Sequence, residues 1–156
     1  MNDQREIRDL EKKVEENDTS AMYTLGRYHF SGLCGLKTNK AKGVRLFKLA
    51  TTVDQIGNQG AESQLGYCLF YGQGIPRNTG LGLLHLGRAT ELNGGAAHAC
   101  YILARIFRFG NGGQKPDIQR CEHYYKMIPS RSFQNCTDDQ LALCKEFMKR
   151  DTAPKK

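Results

Sequence analysis

Four histidines, six cysteines and one lysine-bearing glycine loop are the residues of this chain whose types could do chemistry. His29, His85, His98 and His123 could act as general bases or metal ligands. They are scattered along the chain, however, and no Ser-His-Asp or Cys-His arrangement follows from their spacing. Cys121 and His123 lie two positions apart, but a zinc site usually takes four ligands, and there is no C-x-x-C. Gly110-Asn-Gly-Gly-Gln-Lys115 has the composition of a phosphate loop. Its spacing is wrong, and Pro116 stands where serine or threonine is needed. Gly80-x-Gly82 lacks the third glycine of a dinucleotide fingerprint. No catalytic residue, metal ligand or cofactor is therefore assigned, and the chain reads as a non-enzyme.

The bulk numbers bound what remains. At 156 residues the chain can bury a sizeable core. No stretch approaches the 18 apolar residues of a membrane span, and the polar opening Asn2 to Arg8 is not an apolar signal region. These features predict an intracellular, cytoplasmic protein with free thiols rather than a disulfide frame. Net charge is +7 and uneven: residues 1–18 carry four basic and seven acidic residues, net −3, and the remainder is net +10. A basic body suits nucleic acid, an anionic surface or an acidic protein.

Two motifs recur in step along the chain. Ala21-x-x-x-Leu25-Gly26 with Gly32 returns as Ala61-x-x-x-Leu65-Gly66 with Gly72, and again as Ala99-x-x-x-Leu103-Ala104 with Gly110. Gly43-x-x-Leu46-Phe47-x-x-Ala50 returns as Gly82-x-x-His85-Leu86-x-x-Ala89 and as Cys121-x-x-Tyr124-Tyr125-x-x-Ile128. A period near 40 residues signals stacked repeats. Each unit divides into two helical runs. In the first unit Ser20 is the expected N-cap, Gly32 ends the first helix, and a second runs from about Lys40 to Ile56, with Leu46, Phe47, Ala50 and Val53 as its apolar stripe. The second unit reads as helices Ala61–Tyr71 and Thr79–Leu92, and the third as Ala97–Phe109 and Asp117–Met127, stopped by Pro129. Gly26 and Gly66, with Ala104, sit mid-helix, and Gly43 and Gly82 are the facing small positions, which predicts a close helix–helix approach.

The ends differ from the middle. Residues 4–16 form a charged helix with Ile7, Leu10 and Val14 on one side, suited to cover the first repeat. Thr137 is the expected N-cap of a final helix, with Asp138 and Asp139 in its first turn and Leu141, Cys144, Phe147 and Met148 facing the last repeat. The expected division is a capping helix at 1–18, repeats at about 19–58, 59–96 and 97–129, a capping helix at 130–150 and a loose tail at 151–156. Such a chain suits either a complete small protein or a piece of a larger one.

The pattern A-x-x-x-L-G-x-x-Y-x-x-G-x-G, clearest in Ala61 to Pro76, resembles the Sel-1-like repeat, a relative of the tetratricopeptide repeat. The resemblance covers roughly residues 19–129, with His29, Leu69 and Phe107 at the usual tyrosine position. It implies an all-α, right-handed α/α solenoid of about three helix pairs with capping helices. It also implies a non-enzymatic adaptor or scaffold that holds a protein or peptide in a concave groove lined by the first helices. Carried over by motif, the groove residues are Tyr23, Arg27 and Phe30 in the first repeat, Ser63, Tyr67, Phe70 and Tyr71 in the second, and Tyr101, Arg105, Arg108 and Phe109 in the third. Tyrosine, phenylalanine and arginine are favoured both in interface hot spots and in cores. The alternative for several of them, Phe30, Phe70 and Phe109 first, is packing between helices.

The expected partner is a peptide with acidic and apolar residues, and the expected state is a monomer or weak dimer. Lys37, Arg77 and Lys115 fall at equivalent loop positions and form a basic edge. That edge carries the alternative reading, binding to RNA or an anionic surface, with groove tyrosines stacking on bases.

Overall fold

A computed structural model describes residues 2–53, 58–92 and 96–131, together with Ala142 and Lys145. Among the described residues the long elements are seven α-helices: α1 (Asn2–Glu15), α2 (Thr19–Ser31), α3 (Lys40–Thr52), α4 (Gln59–Tyr71), α5 (Thr79–Glu91), α6 (Ala97–Phe109) and α7 (Ile118–Met127). A single 3₁₀ turn, Ile128–Ser130, follows α7. Each helix packs on the next, α2 on α3, α4 on α5 and α6 on α7, and α4 also touches α6. The result is an all-α repeat stack with first helices in one layer and second helices in the other. The expected cap Thr137 with Asp138 and Asp139, the apolar positions Leu141, Cys144, Phe147 and Met148, and the tail 151–156 lie outside the described residues. Ala142 and Lys145 are helical.

Short polar side chains set where the helices start. Asp18, Asn39, Asn58, Asn78 and Asp117 each accept the backbone N–H three residues on, at 3.0 to 3.1 Å. Such a cap satisfies one of the orphan amides of a helix start and is worth about 1 kcal/mol. This corrects the sequence expectation for Ser20. Asp18 caps α2, and Ser20 lies inside the helix, where its carbonyl accepts the Thr24 hydroxyl. Asn58 likewise starts α4 two residues ahead of Ala61, and Asp117 caps α7 rather than opening it. The first helices all stop the same way: Gly32, Gly72 and Gly110 sit at φ of 68 to 69°, the left-handed conformation that costs glycine least.

Each pair is then tied by a main-chain bond at a fixed register. The amides of Asn39, Asn78 and Asp117 donate to the carbonyls of His29, Leu69 and Phe107, each at 2.7 Å. The close approach expected from the small residues is present. A Cβ on Gly26 would lie 3.2 Å from the Gly43 carbonyl oxygen, and one on Gly66 would lie 2.9 Å from that of Gly82.

The core forms two clusters that meet at α4. One gathers Met22, Tyr23, Phe47, Leu65 and Cys68; the other gathers Phe70, Leu86, Leu103, Ile106 and Ile128. As the middle first helix, α4 is buried nearly all round; only Tyr67 and Tyr71 reach the surface. In α3, Phe47 and Ala50 are fully buried, but Val53 is 39% exposed and ends the helix, so it is not part of the buried stripe. The N-terminal helix leans on α2 through half-buried Ile7, Leu10 and Val14, and the Tyr28 hydroxyl donates to Glu6 Oε1 at 2.6 Å. That bond, more than burial, raises the Tyr28 phenol above its ordinary range.

Candidate functional site

The residues expected to line the first-helix layer divide sharply. Tyr23 and Ser63, each 2% exposed, and Phe70 at 0% lie inside the stack, and Tyr101 is nearly as buried. These four are corrected from partner contacts to packing residues. Tyr23, Ser63 and Tyr101 occupy equivalent positions in the three first helices: Tyr23 packs against Phe47 of α3, and Ser63 meets His98 of α6. Gly112 of the next loop lies against the Phe70 ring. Phe30 is half-buried against Phe47, ring centroids 6.0 Å apart, with the Lys40 ammonium 5.6 Å from its ring centroid. Arg27 and Tyr67 are half-buried, and Tyr71, Arg105, Arg108 and Phe109 are exposed.

The exposed members come together at the junction of α4 and α6. Tyr67 and Tyr71 tilt against each other at 4.9 Å. Arg105 donates to the Tyr101 hydroxyl at 3.3 Å, and its guanidinium lies 5.8 Å from the Tyr101 ring and 5.9 Å from the Phe109 ring. The Arg108 guanidinium also lies near the Phe109 ring, at 5.4 Å. The Tyr71 phenol is raised, first by burial and then by Tyr67, against the opposing pull of Arg105 and a hydrogen bond from Asn111. In α2 the same arginine-on-tyrosine arrangement appears once more, Arg27 over Tyr23 at 5.6 Å. Among the described residues none of Arg27, Arg105 and Arg108 has a carboxylate within ion-pair distance. The arrangement is a set of cations oriented by ring faces, with their charge uncompensated and large apolar surface beside them.

Two polar features were not foreseen. Glu62 is fully buried in α4, where its carboxylate meets His85 Nδ1 at 2.5 Å and Arg88 at 3.4 Å, both from α5. The signal was in the repeat register: Glu62 stands in the column of Met22 and Cys100, both 0% exposed, so a charge occupied an apolar position. The second is His98 Nδ1, which sits 3.0 Å from Ser63 Oγ across the α4–α6 contact.

Burial holds the His98 imidazole down to about 4, well below its ordinary 6.5, and it also lowers His29. Between those two values the unfolded chain takes up a proton that the folded chain refuses, so stability falls as pH drops from about 6.5 to about 4. The loss from His98 alone is about 3 kcal/mol. A melting-temperature profile over pH 4 to 8 should therefore fall on the acid side, and His98→Gln should flatten that fall. An unchanged profile in the variant would remove His98 as its cause.

Burial also pushes the Cys68 and Cys100 thiols up to about 12, which leaves them poor nucleophiles. Cys34, Cys68 and Cys100 carry free thiols. Among the described residues no three His, Cys, Asp or Glu side chains gather to hold a metal, and no helix is long and apolar enough to cross a membrane.

The family model described as the Sel1 repeat matches residues 19–52, 60–94 and 97–127. Among solved structures the chain is similar to a Sel1 repeat protein from Oxalobacter formigenes, with a TM-score of 0.71 and 23% identity over 81% of this chain and 49% of that one. It is also similar to a protective antigen of uropathogenic Escherichia coli that displays an SLR fold, with a TM-score of 0.70 and 17% identity over 92% of this chain and 32% of that one. The chain thus spans about half the length of the first and a third of the second. No curated protein matches it.

Proposed function

Because the chain belongs to the Sel1 repeat family, we propose that it is a non-enzymatic adaptor that holds a protein or peptide segment on the face of α2, α4 and α6. Proteins of this repeat generally mediate protein–protein interaction, and the repeat is typically a scaffold without chemistry of its own. The observation that carries the reading is the Arg105 guanidinium, which lies 5.8 and 5.9 Å from the Tyr101 and Phe109 ring centroids with no carboxylate partner among the described residues. A fork fixed by its neighbours loses little freedom when a carboxylate docks on its free edge. Tyr71 and Phe109, 37% and 56% exposed, supply apolar area for adjacent side chains. An acidic and partly apolar peptide suits this surface, with the adaptor a monomer or weak dimer. A cytoplasmic place of action suits the free thiols of Cys34, Cys68 and Cys100.

The test is affinity capture from a lysate, with nuclease treatment in parallel, and measurement of the recovered partner against variants. Arg105→Glu with Arg108→Glu should weaken binding at least tenfold. Unchanged binding would remove the face from consideration. A second reading rests on Lys37, Arg77 and Lys115, which are exposed and have no acidic partner among the described residues. RNA or an anionic surface would bind along that edge. Its affinity would fall steeply with salt, whereas a peptide seated on rings would respond weakly.

A further inference from the structure

The second helices α3, α5 and α7 make the layer opposite the arginine-bearing face, and their outward positions align from repeat to repeat. In α3 the outward row is Lys42, Arg45 and Lys48, all exposed. In α7 the equivalent row is Arg120, His123 and Lys126, also exposed. In α5 the same row reads Leu81, Leu84 and Gly87, with Leu81 45% and Leu84 57% exposed. A solvated helix row normally carries charge, as the equivalent rows of α3 and α7 do, although Leu49 beside the α3 row is also 41% exposed. Beside Leu84 opens a cleft of 430 Å³, lined by Leu83, Leu84, Gly87, Arg88, Glu91 and Leu92. Nothing lies within 4 Å of where a Gly87 Cβ would stand, so the floor of this strip is open.

We propose that the outer face of α5 docks an amphipathic helix whose leucine-type stripe is flanked on both sides by aspartate or glutamate. The apolar strip is one helix wide, and from Leu81 to Leu92 it runs about 16 Å, three turns of a partner helix. The charge fits an acidic partner. Lys42, Arg45, Lys48 and Lys126 have no carboxylate partner among the described residues, and Arg120 has one, Asp117 at 3.6 Å, besides lying over the Phe107 ring. Glu91, at the end of the cleft, is turned toward Arg131 at 3.9 Å. A bilayer would call for apolar side chains across a broader surface than this single row provides. The α5 strip and the α4–α6 cluster are on opposite layers, so the adaptor would join two partners rather than hold one.

The probe is a labelled 18-residue synthetic helix with leucines at i, i+3, i+4 and i+7 between glutamates, titrated with the whole protein and read by fluorescence anisotropy. Binding is expected, with at least a tenfold loss in Leu81→Ser with Leu84→Ser and a comparable loss in Arg45→Glu with Lys126→Glu. A lysine-for-glutamate version of the peptide should not bind. These positions are exposed, and circular dichroism with a melting curve verifies that each variant is folded. No binding of the acidic helix overturns the proposal, as does binding that ignores the leucine changes or equal binding of the lysine version. Leu84-dependent adhesion to phosphatidylserine vesicles without peptide binding would overturn it in favour of a lipid surface. A dimer in sedimentation equilibrium that Leu84→Ser abolishes would overturn it in favour of a second copy of this chain.

Discussion

His85→Ala is expected to destabilise the protein by about 3 kcal/mol, because it strands a charge in the centre of the stack. The Glu62 carboxylate is 0% exposed and has only His85 and Arg88 as ionic partners among the described residues, so loss of the nearer one leaves the 3.4 Å contact to Arg88 to hold it. Glu62→Met should behave very differently. Met22 occupies the equivalent place in the first repeat at 0% exposure, so the column accepts an unbranched apolar chain. The freed partners are not trapped, since His85 and Arg88 side chains are 17% and 48% exposed. A change within about 1 kcal/mol is expected, because a buried ion pair replaced by a well-packed apolar residue is often neutral. The double variant should recover most of what His85→Ala loses. Urea denaturation of the three variants measures this, and the idea fails if Glu62→Met is as damaging as His85→Ala.

Gly66→Ala is the second large effect, about 2 to 3 kcal/mol of destabilisation against the helix-propensity gain of about 1 kcal/mol that the same change brings elsewhere. The added Cβ would meet Leu86 N and Cγ at 2.8 Å and the Gly82 carbonyl at 2.9 Å. Two of those three atoms are backbone, and Leu86 is fully buried, so no side chain can swing aside. The α4–α5 pair must separate. Gly87→Ala is the contrast: its Cβ meets nothing within 4 Å, and the variant should be stabilised by up to about 1 kcal/mol. The two midpoints in one denaturation series should move in opposite directions. A neutral Gly66→Ala would mean the helices do not approach as closely as the geometry requires. Against a typical total stability of about 5 to 15 kcal/mol, either loss is large.

The repeat architecture was legible because its signals are local. Gly32, Gly72 and Gly110 mark helix ends by a conformation other residues rarely adopt, and Gly26, Gly43, Gly66 and Gly82 mark contact by the absence of a side chain. Starts were harder to place. Serine and aspartate both cap helices, and only the geometry shows that Asp18, not Ser20, reaches the Ala21 amide. The candidate face was legible as a set of residue types but not as a surface. Motif register gives the helix on which Tyr23 and Phe70 sit, while their burial depends on α3 and on the loop after α6, which the motif does not describe. The arginines were better placed, because a long charged side chain that has no buried partner must reach out. Glu62 escaped notice because its partners lie 23 and 26 residues away, on the next helix.

The main-chain bonds from Asn39, Asn78 and Asp117 to the carbonyls of His29, Leu69 and Phe107 join atoms that every residue but proline carries. The junction of each hairpin is therefore blind to the side chain on its acceptor. Three unlike residues, an imidazole, an aliphatic chain and a phenyl ring, occupy that place in consecutive units without altering the 2.7 Å spacing. The side chain at this position is thus separated from the geometry of the stack. The acceptor column carries different side-chain chemistry from unit to unit while the scaffold stays in register.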